Sequence, residues 1–331
     1  MKWTQTVMAG AIAASALPAL AEVNVALVGD SITRGQWWLG DTYPEYLEAM
    51  LDGAFGEGAY NIGRYEDAPR GPGFGHSGAT LRVDGDLPFV DQAAYTQSLA
   101  FQPDVVVIML GTNDAKDGIN WNNPALDGEM TSLEHFLEDY QSLISAYDAL
   151  ASAPDIVVMS PIPISTAVVD TAPQSAGLIE NEIAPAVRNT VANFAEVDAF
   201  IDLNLLFPED NPAFYPSNDK VHPNETGYAF IAQQVFDLLV LDADLNYDMH
   251  VGAEDLDILL AHWGQTVTAG DRSMGDANGD GLVNDLDLAL IQGAWGQAAL
   301  GYDGGGAVPE PASALALLAG LGLLGRRRRV G

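Results

Sequence analysis

The sequence predicts an α/β fold of three layers, in which helices cover both faces of a mostly parallel sheet, followed by a small all-α module. Two observations predict it. Between residues 22 and 240, apolar β-branched runs alternate with stretches of helical periodicity, a pattern typical of a parallel sheet buried on both faces. The stretch 244–265 then recurs at 276–297, an offset of 32 residues (276 − 244), which indicates a duplicated supersecondary unit.

The elements follow from local patterns. Continuous apolar runs that end in turn residues predict strands, whereas apolar residues three or four positions apart predict helices. The predicted strands cover residues 23–29, 104–111, 155–163 and, more weakly, 194–200, and the predicted helices cover 43–51, 132–150 and 227–240. In such a sheet, sites lie beyond the carboxyl ends of the strands.

The composition excludes several classes of function. The chain has 331 residues, with 13 Lys and Arg against 46 Asp and Glu, which gives a formal net charge of −33. Nucleic-acid partners are excluded, because phosphate binding needs a basic surface. The absence of cysteine excludes disulfides, thiolate catalysis and cysteine-based zinc sites.

Both ends read as targeting segments. Residues 1–21 combine Lys2, a short apolar run at 7–20 and small residues at Ala19 and Ala21, which predicts a secretory signal peptide. Near the other end, Val308-Pro309-Glu310-Pro311, an apolar stretch at 312–325 and four arginines at 326–329 resemble a PEP-CTERM sorting tail. That resemblance implies an exosortase partner, membrane contact only through the tail, and an exported protein at the surface of a Gram-negative-type bacterium.

Two polar motifs follow predicted strands. Gly29-Asp30-Ser31 ends the first strand, and Gly111-Thr112-Asn113-Asp114 ends the strand at 104–111. Taken alone, each motif is typical of a helix N-cap or a turn. Because the carboxyl ends of parallel strands meet at one edge of a sheet, we expect the two motifs to lie close together.

A nucleophilic serine needs a base that is oriented by an acid. The chain has five histidines. His222 is preceded by Asp219 in a loop rich in turn residues, just before the last predicted helix of the sheet region. This spacing lets the carboxylate hold the far nitrogen of the imidazole ring.

The blocks at 29–31, 75–80, 111–114 and 219–222, in this order, resemble the SGNH (GDSL-type) hydrolases. The resemblance implies a flavodoxin-like sheet, no catalytic cofactor and a Ser-His-Asp triad. It makes Ser31 the nucleophile, His222 the base and then the acid, and Asp219 the residue that orients His222. The oxyanion hole would be formed by the backbone N–H of Ser31, the backbone N–H of Gly78 (with Gly75 as the competing glycine) and the side-chain amide of Asn113.

Within this family, the blocks look more like those of acetylxylan esterases than those of lipases. The expected function is hydrolysis of O-acetyl or other short acyl esters on polysaccharide. Trp37 and Trp38, just after the nucleophile, either stack on a sugar ring or pack in the core, and His76 is expected in a turn. The alternatives are a lipid or aryl esterase of the same fold and a non-catalytic surface binding protein.

The repeat carries two calcium-loop patterns, D-x-N-x-D with an acid at position 12. Oxygen ligands at this spacing suit Ca²⁺ rather than a transition metal. The second copy has glycine at position 6 and the first has Met249, which predicts a strained turn there. The predicted ligands are Asp244, Asn246, Asp248, the His250 carbonyl and Asp255 in the first copy, and Asp276, Asn278, Asp280, the Leu282 carbonyl and Asp287 in the second.

The two half-EF-hand copies resemble type I dockerin, which implies calcium-dependent folding and a cohesin-like partner. The rival interpretation is a stabilising calcium module without a partner. The predicted organisation is a signal peptide (1–21), a hydrolase domain (22–240), calcium-binding repeats (241–300), a glycine-rich linker (301–308) and a sorting tail (309–331).

Overall fold

A single parallel sheet organises the computed structural model, which describes residues 22–35, 40–65, 71–207 and 213–302. The strand order is β2-β1-β4-β5-β6, and the short strand β3 also pairs with β1. All the pairings are parallel, so the predicted α/β class with a mostly parallel sheet is confirmed. The strands are β1 (Val23–Gly29), β2 (Tyr60–Ile62), β3 (Phe74–Gly75), β4 (Val105–Met109), β5 (Asp155–Met159) and β6 (Ala199–Ile201).

Helices cover both faces of this sheet. The longest ones begin at polar caps, such as Thr131 before α5 and Asn224 before α9, because side-chain oxygens satisfy the first free N–H groups of a helix. The helices are α1 (Ser31–Arg34), α2 (Tyr43–Phe55), α3 (Ala93–Ala100), α4 (Pro124–Asp127), α5 (Ser132–Asp148), α6 (Ala176–Leu178), α7 (Ala184–Asn189), α8 (Leu203–Leu206), α9 (Glu225–Leu239), α10 (Ala253–Ala261) and α11 (Asp285–Ala294). One π-helical turn, Ile179–Ile183, joins α6 to α7, and short 3₁₀ turns cover Phe89–Asp91, Val191–Asn193 and Arg272–Met274.

Successive residues of the central strands enter two different cores. Val106 and Ile108 of β4 pack with α5 and α7 on one face, whereas Val105 and Val107 pack with α2 and α9 on the other. This alternation is the period of two that a pleated strand imposes. It explains why the central strands read as continuous apolar runs in the sequence.

The weakly predicted strand at 194–200 is shorter than expected. Turn hydrogen bonds from the N–H of Phe194 to the carbonyl of Val191, and from the N–H of Val197 to that of Phe194, hold the first part of this segment out of the sheet. The strand itself covers only Ala199–Ile201, which pairs with β5.

The strand order places two carboxyl ends side by side. Gly29 of β1 is in register with Met109 of β4, and the chain passes to opposite sides of these two strands, since β2 lies beyond β1 and β5 lies beyond β4. Ligand sites of open α/β sheets form at such a switch point. The polar motifs that follow β1 and β4 therefore open into one crevice.

The C-terminal repeats form a module with a small core of its own. Its two halves are related by the 32-residue offset. Val251 exchanges backbone hydrogen bonds with Gly296 and Gln297, and its counterpart Val283 does so with Gly264 and Gln265. Each loop is thus joined to the segment that follows the helix of the other copy, which makes the two halves interdependent.

The module packs against the amino ends of the sheet strands. Met249 and Ala299 are buried in the core that also contains side chains of β1 and β4. The N–H of Gly301 donates to a carboxylate oxygen of Asp155 at 2.7 Å, and the rings of Phe55 and Tyr247 meet edge to face at 5.1 Å between centroids. The start of the predicted linker, Gly301 and Tyr302, therefore lies against the sheet.

Several predicted features lie outside the described residues: the signal peptide, the tryptophan pair at 37 and 38, the rest of the linker and the sorting tail. Across the described ranges, no helix is both long enough and apolar enough to cross a bilayer.

Candidate functional site at the carboxyl edge of the sheet

Ser31 is the first residue of α1, directly after β1. Asp30 caps this helix, because its Oδ1 accepts the N–H of Ile32 at 2.8 Å. The turn needs Gly29, since a Cβ there would lie 2.2 Å from Thr33 Oγ1 and 2.7 Å from the Met109 carbonyl oxygen. These constraints place the serine side chain at the edge of the sheet, where 6% of the residue is exposed.

Ser31, His222 and Asp219 form one hydrogen-bonded chain. Ser31 Oγ lies 2.8 Å from His222 Nε2, and His222 Nδ1 lies 2.8 Å from Asp219 Oδ2. Ser31 and His222 are separated by 191 residues in sequence, so the sheet topology brings them together. The two nitrogens of one imidazole ring thus face a hydroxyl and a carboxylate, as a nucleophile, a base and an orienting acid require.

The loop that carries His222 is held by Asp219. The Oδ1 atom of Asp219 accepts the N–H groups of Val221 and His222, both at 2.9 Å. Burial alone would raise the pKa of the Asp219 carboxyl, but the hydrogen bonds from His222 lower that pKa below its ordinary value. The carboxylate therefore stays ionised beside the imidazole ring, where it stabilises a positive charge.

Asn113 reaches the same crevice from the end of β4. Its Nδ2 donates to the Ala79 carbonyl at 3.1 Å and approaches Asp30 Oδ2 at 3.4 Å. Asn113 is 3% exposed. An amide nitrogen at this position has the chemistry that an oxyanion hole needs.

The two competing glycines differ in their surroundings. Gly75 lies in β3, and a Cβ on it would lie 2.2 Å from the backbone nitrogen of Arg34, so this glycine allows α1 to pack closely. Gly78 has a φ of +83° in the following turn, a conformation that favours glycine. Across the described residues, the N–H groups of Ser31 and Gly78 donate to no other protein atom, which leaves both available to a substrate oxygen.

Two further aspartates lie beneath the site. Asp114 accepts the N–H groups of Leu81 and Arg82, both at 2.9 Å, and thereby fixes the segment that follows Gly78. Burial raises the pKa of both the Asp30 and the Asp114 carboxyls to about 6. These carboxyls hold the two strand-end loops in place.

Gln174 is a site residue that the sequence analysis missed. Its Nε2 donates to Asn113 Oδ1 at 2.9 Å. Because the other end of the Asn113 amide donates to the Ala79 carbonyl, the two contacts orient the amide with its nitrogen toward the Gly78 loop. Gln174 lies in the long loop before α6 and matches no motif, so no local signal could have identified it.

His76 directly follows β3, and its N–H donates to the Gly29 carbonyl at 3.0 Å at the end of the pairing with β1. Its carbonyl accepts the N–H of Ala79 at 3.1 Å, which closes the turn expected at this position. Burial, and then the charge of Arg34, lowers the pKa of its imidazole.

The two predicted calcium loops have matching internal hydrogen bonds. In the first, Asp244 accepts the N–H groups of Asp248 and Met249 at 3.1 and 2.8 Å. In the second, Asp276 accepts those of Asp280 and Gly281 at 3.1 and 2.9 Å. The acids at position 12 bind the N–H groups of Gly252 and Asn284 in the same way.

The side chains of these loops have the chemistry of ligands for a hard cation, but not its full arrangement. The side chains at positions 1, 3, 5 and 12 offer only oxygen ligands once the amides turn their oxygens inward, which suits Ca²⁺. The carboxylates at positions 1 and 12 are buried: Asp244, Asp255, Asp276 and Asp287 are each at most 1% exposed. Burial, followed by the charges of Asp255 and Asp248, raises the pKa of the Asp244 carboxyl to about 7. In the described part of the chain, however, no group of three or more His, Asp or Glu side chains is arranged as a metal cage.

Known families match two parts of this chain. The profile of the GDSL-like lipase/acylhydrolase family matches residues 27–230, and that of the PEP-CTERM protein-sorting motif matches residues 307–329. The sorting motif indicates export toward the cell surface and processing by an exosortase.

One curated relative and two solved structures are similar to the sheet region. An acetylxylan esterase of Xylanibacter ruminicola is 29% identical over 233 residues, which cover 64% of this chain and 42% of that protein. A carbohydrate esterase family 3 structure from Talaromyces cellulolyticus is 22% identical (TM-score 0.43; 65% of this chain and 94% of that chain). A two-domain esterase active on acetylated mannans is 19% identical (TM-score 0.41; 65% and 48%). The chain spans less than half the length of the curated relative.

Proposed function

Since the chain belongs to the GDSL-like lipase/acylhydrolase family, a family of ester hydrolases, we propose that it is an exported serine esterase that removes O-acetyl or other short acyl groups from polysaccharide. The observation that carries this proposal is the continuous hydrogen-bonded chain from Ser31 Oγ through the His222 ring to Asp219, with 2.8 Å at each step. The similarity to a protein named acetylxylan esterase supports the choice of substrate.

The geometry supports a two-step mechanism. As Ser31 Oγ attacks the ester carbonyl carbon, His222 Nε2 takes the hydroxyl proton, and Asp219 stabilises the imidazolium through Nδ1. The carbonyl oxygen becomes an oxyanion that the N–H groups of Ser31 and Gly78 and the amide of Asn113 bind. Each such donor typically contributes about 3 kcal/mol of transition-state stabilisation.

Collapse of this intermediate breaks the bond between the acyl carbon and the sugar oxygen. His222 Nε2 gives its proton to the leaving sugar oxygen, and the acyl group remains on Ser31. Water then enters, loses a proton to His222 and attacks the acyl carbon, which releases the carboxylic acid and restores Ser31.

The C-terminal repeats supply a separate proposal. We propose that Ca²⁺ binds the loops at 244–255 and 276–287, where it would balance the buried carboxylates and stabilise the module. A cohesin-like partner stays a prediction from the dockerin resemblance.

The test is acetate release from acetylated xylan by residues 22–302, measured beside synthetic esters of two to twelve acyl carbons. The Ser31→Ala variant is the control for chemistry that does not use the triad. We expect acetate release from the polysaccharide that falls by at least about 10⁴-fold in this variant.

Other results would redirect the proposal. Turnover only of long acyl or aryl esters would retain the mechanism and replace the polysaccharide with a lipid or aryl substrate. The absence of any Ser31-dependent turnover would favour a non-catalytic binding protein.

A further inference from the structure

Asn120 is a buried amide in the loop between β4 and α4, and it takes no part in the mechanism described above. It is 0% exposed and lies seven residues after Asn113. Burying an amide costs free energy unless its donors and its acceptor are bound. The partners of the Asn120 side chain therefore show what this residue holds together.

The Asn120 amide joins the two loops that carry the predicted oxyanion donors. In its own loop, Asn120 Nδ2 donates to the backbone carbonyl of Asn113 at 2.9 Å. In the Gly78 loop (residues 78–88), Asn120 Nδ2 also donates to Asp86 Oδ1 at 2.8 Å, and Asn120 Oδ1 accepts the Asp86 N–H at 2.9 Å. Both hydrogens and the oxygen of the amide are thus bound, and together they connect the two loops.

The position of Asp86 affects Gly78 through the return of the Gly78 loop. Leu87 directly follows Asp86, and its carbonyl accepts the N–H of Thr80 at 2.9 Å. A Cβ on Gly78 would lie 3.3 Å from Leu87 Cδ2, so the Leu87 side chain lies against this glycine. Asp114 fixes the first half of the loop, and Asn120 fixes the return.

Arg82 connects the middle of the Gly78 loop to the same asparagine. Its Nη1 donates to the backbone carbonyl of Asn120 at 2.8 Å. Its fully buried guanidinium also forms ion pairs with Asp84 and Asp127, at 2.8 and 3.0 Å, so its charge is balanced between the loops. Asn120 therefore holds the Gly78 loop at two places, through Arg82 and through Asp86.

We infer that Asn120 is a positioning residue that sets the distance between the oxyanion donors on Gly78 and Asn113. These donors are 35 residues apart in sequence (113 − 78), and they act only if both point to the place where the negative oxygen forms. Asn120 acts on this geometry through the two loops rather than through the substrate. The inference rests on the proposed esterase function and adds to it a residue outside the triad and the oxyanion hole.

The test compares two asparagines of one loop, each changed to aspartate in the full chain. Asn120→Asp keeps the size of the side chain, but it removes the donor to the Asn113 carbonyl and places a carboxylate against that of Asp86. Asn123→Asp is the matched control, because the Asn123 side chain forms hydrogen bonds within residues 119–125. We expect kcat for an acetyl ester to fall about 10²-fold in Asn120→Asp, with KM little changed, and to stay at the wild-type value in the control.

A second substrate shows whether this loss arises in the oxyanion hole. In a thionoacetyl ester, sulfur replaces the carbonyl oxygen, and sulfur is a weak hydrogen-bond acceptor. Oxyanion donors that are correctly placed therefore favour the acetyl ester, and displaced donors favour it less. We expect the ratio of kcat/KM for the acetyl ester to that for the thionoacetyl ester to fall by about tenfold or more in Asn120→Asp. A loss of folded enzyme would lower both rates equally and leave this ratio unchanged.

A milder variant decides the question if Asn120→Asp does not fold. Asp86→Ala removes one acceptor of the Asn120 amide, and the Asp86 side chain is 43% exposed, so this variant should fold. The same ratio should fall about fivefold, the effect of one lost hydrogen bond. Its control is Lys116→Gln, which removes the ion pair of Asp86 and should leave the ratio unchanged.

The outcomes are distinguishable. An unchanged ratio in Asn120→Asp, or in Asp86→Ala if the first variant does not fold, would overturn the positioning role and leave the esterase proposal standing. An equal fall in Asn123→Asp would also overturn it. The absence of Ser31-dependent turnover of either ester by the wild type would overturn the esterase function, and the positioning role with it.

Discussion

The sheet-edge site and the C-terminal repeats both hold aspartates on backbone N–H groups, but they differ in what balances the charge. Asp219 accepts two backbone N–H groups and also faces the His222 ring. Asp244 likewise accepts two backbone N–H groups, but its neighbours are Asp255 and Asp248. Within the described residues, the loop carboxylates at 244–255 and 276–287 form no ion pair with Lys, Arg or His. The Asp219 carboxylate thus has a partner that can carry positive charge within the chain, whereas the described residues offer none to the loop carboxylates, which is why Ca²⁺ is proposed there.

The largest expected effect comes from removing the Asp219 carboxylate, which is the partner of His222 at the sheet edge. Asp219→Asn keeps the shape of the side chain but removes the carboxylate that holds the His222 tautomer. We expect kcat for an acetyl ester to fall by about 10⁴-fold with little change in the melting temperature. Asp237→Asn, at an exposed position of α9, is the matched control. A loss below tenfold would show that Asp219 does not orient the base.

The second effect concerns the repeats, for which Ca²⁺ is the proposed external partner. Calcium at 100 times its dissociation constant should raise the free energy of unfolding by about 2.7 kcal/mol. Urea unfolding with calcium or with a chelator measures this difference. Asp287→Asn should lose part of the calcium-dependent gain, whereas Asp285→Asn, outside the predicted ligand set, should keep it. Equal unfolding curves with calcium and chelator would contradict the calcium proposal.

The sequence indicated the residues that local patterns can reveal. Ser31 and Asn113 follow apolar strands, and Asp219 and His222 are close together in one loop, so position and spacing drew attention to them, and the family resemblance then assigned their roles. Gln174 could not be selected, because its contact with Asn113 depends on how a long loop returns across the sheet edge. The site could thus be predicted where its chemistry is local, and not where distant loops meet.

The third prediction tests that missed contact. Gln174→Glu replaces the donor to Asn113 Oδ1 with a carboxylate of similar size, so that two acceptors face each other and the Asn113 amide turns. We expect kcat to fall by tenfold or more, toward the roughly 10²- to 10³-fold loss of an oxyanion-hole deletion. In an Asn113→Ala background, Gln174→Glu should add little further loss. Additive losses would assign Gln174 a role that does not act through Asn113.

A fourth prediction uses the carboxyls at the sheet edge that lack a direct ion pair. Asp30 and Asp114 have pKa values of about 6 when folded, because they are buried, against about 3.9 when unfolded. The folded state therefore binds more protons between about pH 4 and 6, and stability falls as the pH rises through this window. At constant calcium, the free energy of unfolding should be higher at pH 5 than at pH 7. Asp114→Asn should reduce this difference, and an unchanged pH dependence would contradict the assignment.

The smallest expected effect concerns position 6 of the two predicted calcium loops, where the repeats carry different residues. Met249 and Gly281 have φ angles of +68° and +79°, so both copies require the left-handed conformation that favours glycine. The first copy tolerates methionine because the Met249 side chain is buried in the core shared with β1 and β4. Its packing there offsets the backbone strain of about 1 kcal/mol.

Gly281 has no such compensation. A Cβ on this residue would lie 3.3 Å from the Val267 carbonyl oxygen and contact no hydrolase core. Gly281→Ala should therefore lower the free energy of unfolding of the module by about 1 kcal/mol, measured by calorimetry with calcium present. If this variant is as stable as the wild type, the left-handed turn costs little in either copy, and burial of Met249 is not needed to explain the residue at position 6.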